Sequence, residues 1–362
     1  MPTPDSIHAP ARDLVGQRLG GRYHLVELIG AGGYGAVYSA VDERDGSTVA
    51  VKVLHPHLAH EPSVFARFLR ETEIALRFEH PGLLRGLARH VVSPEEPCYL
   101  VTERLVGCTL EALVGVGESL DGYAAARIAL SVLGGLEAIH AAGYVHRDVK
   151  PENVFLVGHE LATAKAKLVD YGTARPTEIP APRLTVPGEV VGTLSYAPPE
   201  QIFEGHVDAR GDLYGLGLAL YVALTGVRPF RRGSPGETLL ALSHGVVEPL
   251  DSLRPDLDRA FTCILHRAIA LAPDARYPTA WAMRKDVASW LRGKEARAAK
   301  RVVLPVTRPF AASSSEATAT VVDRAPPFEP TPSTGKYPRI GARAGEPEEL
   351  YETDRRAILP GK

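Results

Sequence analysis

A run of small residues, Gly30-Ala31-Gly32-Gly33-Tyr34-Gly35, is the first stretch of this chain whose types and spacing could do chemistry. Glycines so placed let backbone N–H groups approach phosphate oxygens without side-chain obstruction. Downstream, Val49-Ala50-Val51-Lys52 ends an apolar run on a cation that can pair with those oxygens once a carboxylate steadies its stem. Glu71 and Glu73 are the candidates, and Glu71 is preferred because Phe68 and Ala75 flank it at helical spacing. His146-Arg147-Asp148-Val149-Lys150-Pro151-Glu152-Asn153 then puts a carboxylate, a cation and an amide carbonyl on one short segment. Asp148 can orient and deprotonate a hydroxyl, Lys150 can neutralise transferred charge, and Asn153 can ligate a divalent metal through oxygen. Leu168-Val169-Asp170-Tyr171-Gly172 adds Asp170, the second hard oxygen ligand that Mg²⁺ prefers when it also binds phosphates. Last come Gly192-Thr193-Leu194-Ser195-Tyr196-Ala197-Pro198-Pro199-Glu200 and then Asp212.

Elements must hold these groups in place. Short runs rich in Val, Tyr and Leu predict strands at Tyr23–Ile29, Ala36–Val41 and Thr48–Leu54, with a hairpin turn at Asp45-Gly46. Phe65, Phe68, Leu69, Thr72 and Leu76 stripe one helix between Pro62 and Pro81, and Cys98–Thr102 reads as a further strand. From Leu110 the pattern turns helical. Ile128, Val132, Leu136 and Ile139 mark a helix ending at Gly143, and Leu213–Thr225 is apolar nearly all round, as a core helix is. Later helices fit Glu237–His244, Leu257–Leu271 and Thr279–Leu291. The expected domain spans 22–292, with a strand-rich lobe at 22–104 and a larger helical lobe at 105–292. A loose leader at 1–21 precedes it, and a Pro/Ala/Ser/Thr-rich tail at 293–362, too poor in spaced apolar residues to bury a core, is expected to be disordered. A dinucleotide-binding fold would need a helix straight after the glycines and an acidic residue about twenty positions on. Here a strand follows them, and Lys52 stands near that place.

The 362 residues are 45% hydrophobic and 23% charged, with a formal net charge of −2, which gives no electrostatic reason to expect nucleic acid as a partner. Three scattered cysteines, Cys98, Cys108 and Cys263, argue against a disulfide framework or structural zinc and suit a reducing cytoplasm. Met1 to Pro10 has no apolar core of a secretory signal, and Leu213–Val227 is too short to span a bilayer, so a cytoplasmic chain without a membrane span is expected. His55, His57 and His60 lack an accompanying ligand set and read as surface histidines, not as zinc ligands.

The ordered set of motifs resembles that of protein kinases over about Arg22 to Leu291, and His146–Asn153 with Gly192–Gln201 is similar to bacterial eukaryotic-like (Hanks-type) serine/threonine kinases. The resemblance implies an α+β bilobal fold, with a small β-rich N-lobe and a larger α-helical C-lobe. It implies ATP and Mg²⁺ (or Mn²⁺), with protein substrates phosphorylated on Ser or Thr. The loop Ile29, Gly30, Ala31, Gly32, Gly33 and Gly35 would cover the phosphates, Lys52 would pair with Glu71, and Asn153 and Asp170 would hold the metal. Val37, Ala50 and Phe155 would sandwich adenine, Glu103 and Leu105 would offer hinge backbone groups, and Thr102 would be the gatekeeper. Asp148 would be the base and Lys150 would meet the γ-phosphate. Arg147 would receive a phosphorylated Thr185, with Thr193 marking the Ser/Thr class, and a transient homodimer would serve autophosphorylation in trans. Two departures stand out: Tyr171 replaces the usual Phe and leaves a hydroxyl needing a partner, and Pro198 replaces the usual Ala. A pseudokinase scaffold is the rival reading, and a small-molecule kinase a third. Against the first, Lys52, Asp148, Asn153 and Asp170 are all present; against the second, the Gly192–Glu200 segment resembles peptide-substrate machinery.

Overall fold

The computed structural model describes residues 14–91, 96–115, 117, 119–158, 160–161, 164–177 and 195–301, with side chains up to Lys294. Thr185 and Thr193 lie outside the described residues. Alternating apolar residues build the first lobe. Strands β1 (Arg18–Leu19), β2 (Tyr23–Ala31), β3 (Gly35–Asp42), β4 (Thr48–Leu54), β5 (Gly86–His90) and β6 (Tyr99–Glu103) form one antiparallel sheet in the order β1-β2-β3-β4-β6-β5. The turn between β3 and β4 closes where Gly46 N–H donates to the Asp42 carbonyl, with Gly46 at φ 74°, a conformation glycine takes without strain. One face of the sheet buries Leu25, Tyr38, Val51 and Val101 with Leu19 of β1.

That contact corrects the expected leader. Residues 18 and 19 belong to the sheet, and a two-residue strand is too short to show periodicity in the sequence. Helix α1 (Pro56–Ala59) and helix α2 (Pro62–Arg77) follow β4, each with proline in its first turn, where the missing N–H costs nothing. α2 turns Phe68, Glu71, Ile74 and Ala75 inward.

The second lobe is mainly helical. After β7 (Gly107–Thr109) and α3 (Leu110–Gly115) comes α4 (Gly122–Ala141), capped by Asp121, whose carboxylate accepts the Ala124 N–H at 2.7 Å. α4 is the one described helix long and apolar enough to cross a membrane, yet 61% of that window is buried inside this fold. A short β8 (Tyr144–Val145) leads into the loop that carries Asp148, and a single 3₁₀ turn at Pro151–Asn153 leads out of it into β9 (Val154–Val157) and β10 (Lys165–Leu168). β11 (Arg175–Pro176) pairs back onto β8.

Further along the chain lie α5 (Pro199–Phe203), α6 (Ala209–Thr225), α7 (Pro235–His244), α8 (Leu250–Leu253), α9 (Arg259–Ala268) and α10 (Ala280–Arg301). α6 is buried along almost its whole length and ends at Gly226 in the left-handed region. α10 runs to Arg301, past the boundary expected at 292, because its last turns carry Ala, Lys and Arg, good helix formers without an apolar stripe. The described residues thus have the α+β bilobal architecture.

Candidate active site

β4 and α2 supply the first half of the site. Residues opposite one another in an antiparallel pair share a face, as do residues two apart on one strand. Val37 lies opposite Lys52 and Ala50 opposite Thr102, so these four share one face of the sheet. From it the Lys52 ammonium meets Glu71 of α2 at 2.5 Å. Glu73 instead pairs with Arg89 at 3.6 Å, on the outer side of the helix. Burial alone would lower the Lys52 pKa; the carboxylates of Glu71 and Asp170 outweigh it, so the ammonium stays charged well above its usual range. Ile29 falls at an irregularity between β2 and β3, Gly30 and Ala31 finish β2, and Gly32, Gly33 and Tyr34 make the turn. Gly35 starts β3, where any Cβ would run into the Val53 carbonyl.

The second half hangs from α6. Asp212, in its first turn, accepts the N–H of His146 at 2.8 Å and of Arg147 at 2.7 Å, and His140 Nε2 lies 2.8 Å from the same carboxylate. The chain needs that brace, because Arg147 has φ 68°, which a non-glycine residue adopts only under constraint. A Cβ on Gly215 would lie 2.5 Å from the Val149 carbonyl, so glycine there lets α6 approach the loop closely. Lys150 Nζ reaches Asp148 Oδ2 at 2.9 Å. Asn153 Nδ2 donates to the Asp148 carbonyl at 2.8 Å and to Asp148 Oδ2 at 3.0 Å.

With the Asn153 Nδ2 so engaged, its amide oxygen is the atom left to accept. Asp170 sits at φ 63°, its Oδ1 accepting the Gly172 N–H at 3.0 Å. Burial would raise the Asp170 carboxyl, but Lys52 and Arg67 overcome it and hold the group below the usual carboxylate range. The Tyr171 hydroxyl finds its partners in the carbonyls of Leu84, at 3.1 Å, and Leu168, at 3.2 Å.

These groups converge. A cavity of about 620 Å³ is lined by Gly33, Tyr34, Asp148, Lys150 and Asp170, bringing the glycine turn over the carboxylates. The family description "Protein kinase domain" matches residues 23–284. The chain belongs to the protein kinase family. It is 35% identical over 351 residues to the serine/threonine-protein kinase Pkn1 of Myxococcus xanthus, covering 96% of this chain and 48% of that one. To the serine/threonine-protein kinase PknB of Mycobacterium tuberculosis it is 35% identical over 290 residues, 78% of this chain and 45% of the relative. The chain therefore spans less than half the length of these relatives. The crystal structure of the Mycobacterium tuberculosis PknI kinase domain matches with a TM-score of 0.57 and 26% identity, covering 76% of this chain and 98% of that one.

Within this kinase domain, the strip linking the lobes is already partly engaged. The Glu103 carbonyl accepts Thr102 Oγ1 at 3.2 Å, and the Leu105 carbonyl accepts Arg104 Nη1. A carbonyl oxygen has two lone pairs, so these bonds do not exhaust either acceptor. The Glu103 carboxylate is anchored by Lys167 at 2.7 Å and by the Arg85 N–H at 2.9 Å. Phe155 stands on β9, opposite Thr109 and Lys167.

Sequence reasoning missed a cluster of cations. Arg67 and Arg70 of α2, Arg147, and Arg175 of β11 line a cavity of about 300 Å³ with Tyr34 and Gln201. Burial and then Arg175 and Arg67 push the Arg70 pKa down, and burial and then Arg175 do the same to Arg147. Arg70 Nε is buried without a partner among the described residues. Only Arg147 stood out beforehand, since the other arginines come from segments far apart in the chain. A second correction concerns His55. It is buried rather than at the surface, and its Nε2 lies 3.0 Å from the Gly32 carbonyl.

Proposed function

We propose that the chain is a serine/threonine protein kinase that moves the γ-phosphate of ATP to Ser or Thr hydroxyls of proteins. The observation that carries this reading is the Lys52–Glu71 pair at 2.5 Å, with its ammonium held charged by Glu71 and Asp170. Asp148, Lys150 and Asp170 share one cavity with the glycine turn. Phosphoryl transfer asks a protein to position reactants and offset charge, and this site is built from residues that do both. The hydroxyl oxygen forms its bond to the γ-phosphorus, the bond from that phosphorus to the β–γ bridging oxygen breaks, ADP leaves, and Asp148 takes the hydroxyl proton. Lys150 offsets charge on the transferred group, and Lys52 holds the remaining phosphates.

Asn153 and Asp170 offer an amide oxygen and a carboxylate, hard oxygen donors that fit Mg²⁺ or Mn²⁺. When bound, a metal held by Asn153 and Asp170 would neutralise phosphate charge. Val37, Ala50, Thr102, Glu103, Leu105 and Phe155 would hold the adenine. The four-arginine cavity supports regulation by phosphate on Thr185, added in trans by a transient homodimer, and Thr193 would serve Ser/Thr selection. Three free cysteines suit a cytoplasmic setting.

The test is incubation of the full chain with labelled ATP and Mg²⁺ or Mn²⁺, beside Lys52→Met and Asp148→Asn. Incorporation into Ser or Thr that drops at least a hundredfold in both variants is expected. Incorporation that persists in both would refute this reading.

A further inference from the structure

His55 follows β4, three residues after Lys52, and touches the glycine turn twice. Its backbone N–H donates to the Tyr34 carbonyl at 3.0 Å. Its ring Nε2 lies 3.0 Å from the Gly32 carbonyl oxygen, across 23 residues of sequence. A carbonyl only accepts, so Nε2 must carry the hydrogen. The ring is 8% exposed and lies stacked against His57, with centroids 5.6 Å apart and planes 15° from parallel.

Peptide planarity turns this contact into an orientation. In a trans peptide the C=O and N–H point in opposite directions, and the described residues have no cis peptide. With the Gly32 carbonyl tied to His55, the Gly33 N–H of the same peptide is directed away from the imidazole. Gly33 lines the cavity that also holds Asp148, Lys150 and Asp170. Both flanks of this peptide are tied as well: Gly32 N–H donates to the Gly35 carbonyl at 2.9 Å, and the Tyr34 ring lies 4.8 Å from the Arg67 guanidinium. Between two glycines a peptide plane rotates freely, and an untethered one could turn its carbonyl, the negative end, toward a phosphate.

We infer that His55 is a positioning residue for phosphoryl transfer, fixing the Gly32–Gly33 peptide so that it presents an N–H to the terminal phosphate. This rests on the kinase reading above. The effect belongs to the phosphate that ATP has and ADP lacks.

The experiment measures, on the full chain with Mg²⁺, the dissociation constants of ADP and of the β,γ-imido analogue of ATP, with KM for ATP and kcat alongside. Wild type is compared with His55→Ala and with His55→Gln, whose amide N–H stands about as far from Cβ as Nε2 does. His55→Ala should weaken the analogue roughly three- to tenfold, the weight of one hydrogen bond. It should raise KM for ATP similarly, with ADP changed less than twofold, and His55→Gln should recover most of the loss. Equal losses for ADP and the analogue, no loss for either, or a glutamine variant as poor as alanine would each overturn the inference. Wild type that binds both nucleotides but transfers no phosphate would overturn the kinase reading alone, because the binding ratio still decides the role of His55. Wild type that binds neither would overturn both.

Discussion

Asp212 holds the segment bearing Asp148 through hydrogen bonds to its backbone. It accepts two consecutive backbone N–H groups, from His146 and Arg147, and is 1% exposed. Burial would raise its carboxyl, but the His140 contact and the nearby donors overcome that and hold it below the usual carboxylate range. A depressed folded value means that the ionised group adds stability, in full above the unfolded value near about 4 and lost as pH falls through the folded value. Wild type should therefore lose thermal stability below about pH 4. Asp212→Asn, which turns an N–H₂ toward a backbone donor, should be less stable at neutral pH by about 1–3 kcal/mol and show a shallower acid limb. Unfolding midpoints measured across pH would check both. At this scale the sequence was informative, because Asp148, Asn153 and Asp170 are chemically distinctive and sit in compact motifs. The tether from His55 to Gly32 was not, because a histidine among histidines suggests a metal or a surface until its partner, 23 residues away, is in view.

α2 is where separate parts of the site meet. Its inner face gives Glu71 to Lys52, and a neighbouring stripe carries Arg67 and Arg70 to the arginine cavity shared with Arg147 and Arg175. Like charges gathered there repel in the absence of an anion, and that repulsion adds to burial in lowering the Arg70 pKa. Arg175→Gln should therefore leave the unphosphorylated chain equally or slightly more stable. After autophosphorylation, wild type should gain melting temperature and the variant should gain little, a difference that thermal scans before and after ATP treatment would reveal. α2 and β4 were legible because their apolar periodicity is strong; Thr48–Leu54 was expected with the limits observed. β5 was not, since its residues alternate only between half-buried and exposed and include Arg89 and His90. Nor was the end of α10, where the apolar stripe stops before the helix does.

Across the whole domain, a buried ion pair joins α5 to the segment that precedes α10. Arg276 and Glu200 make two parallel bonds, at 2.7 and 2.8 Å, and Arg276 also donates to the carbonyls of Ala270 and Leu271 while lying 4.6 Å over the Tyr214 ring. Every part of this guanidinium is used, so removing it strands a carboxylate in the interior. Arg276→Met should lower unfolding free energy by about 3–5 kcal/mol, read from denaturant titration. Such a pair is not legible in sequence, because its partners are 76 residues apart and, although Glu200 closes the Gly192–Glu200 motif, nothing in the pattern marks Arg276. The bilobal order was legible, since a change from strand to helix periodicity near Leu110 is a property of long stretches rather than of single contacts. The suspension of the catalytic loop from α6 has a consequence for how the molecule comes apart. Most active-site loops open locally at little cost, but the segment bearing Asp148 is fastened by its own amides to the most deeply buried helix. The amides of His146 and Arg147 should therefore exchange with solvent as slowly as those of the core helix, which hydrogen exchange would check.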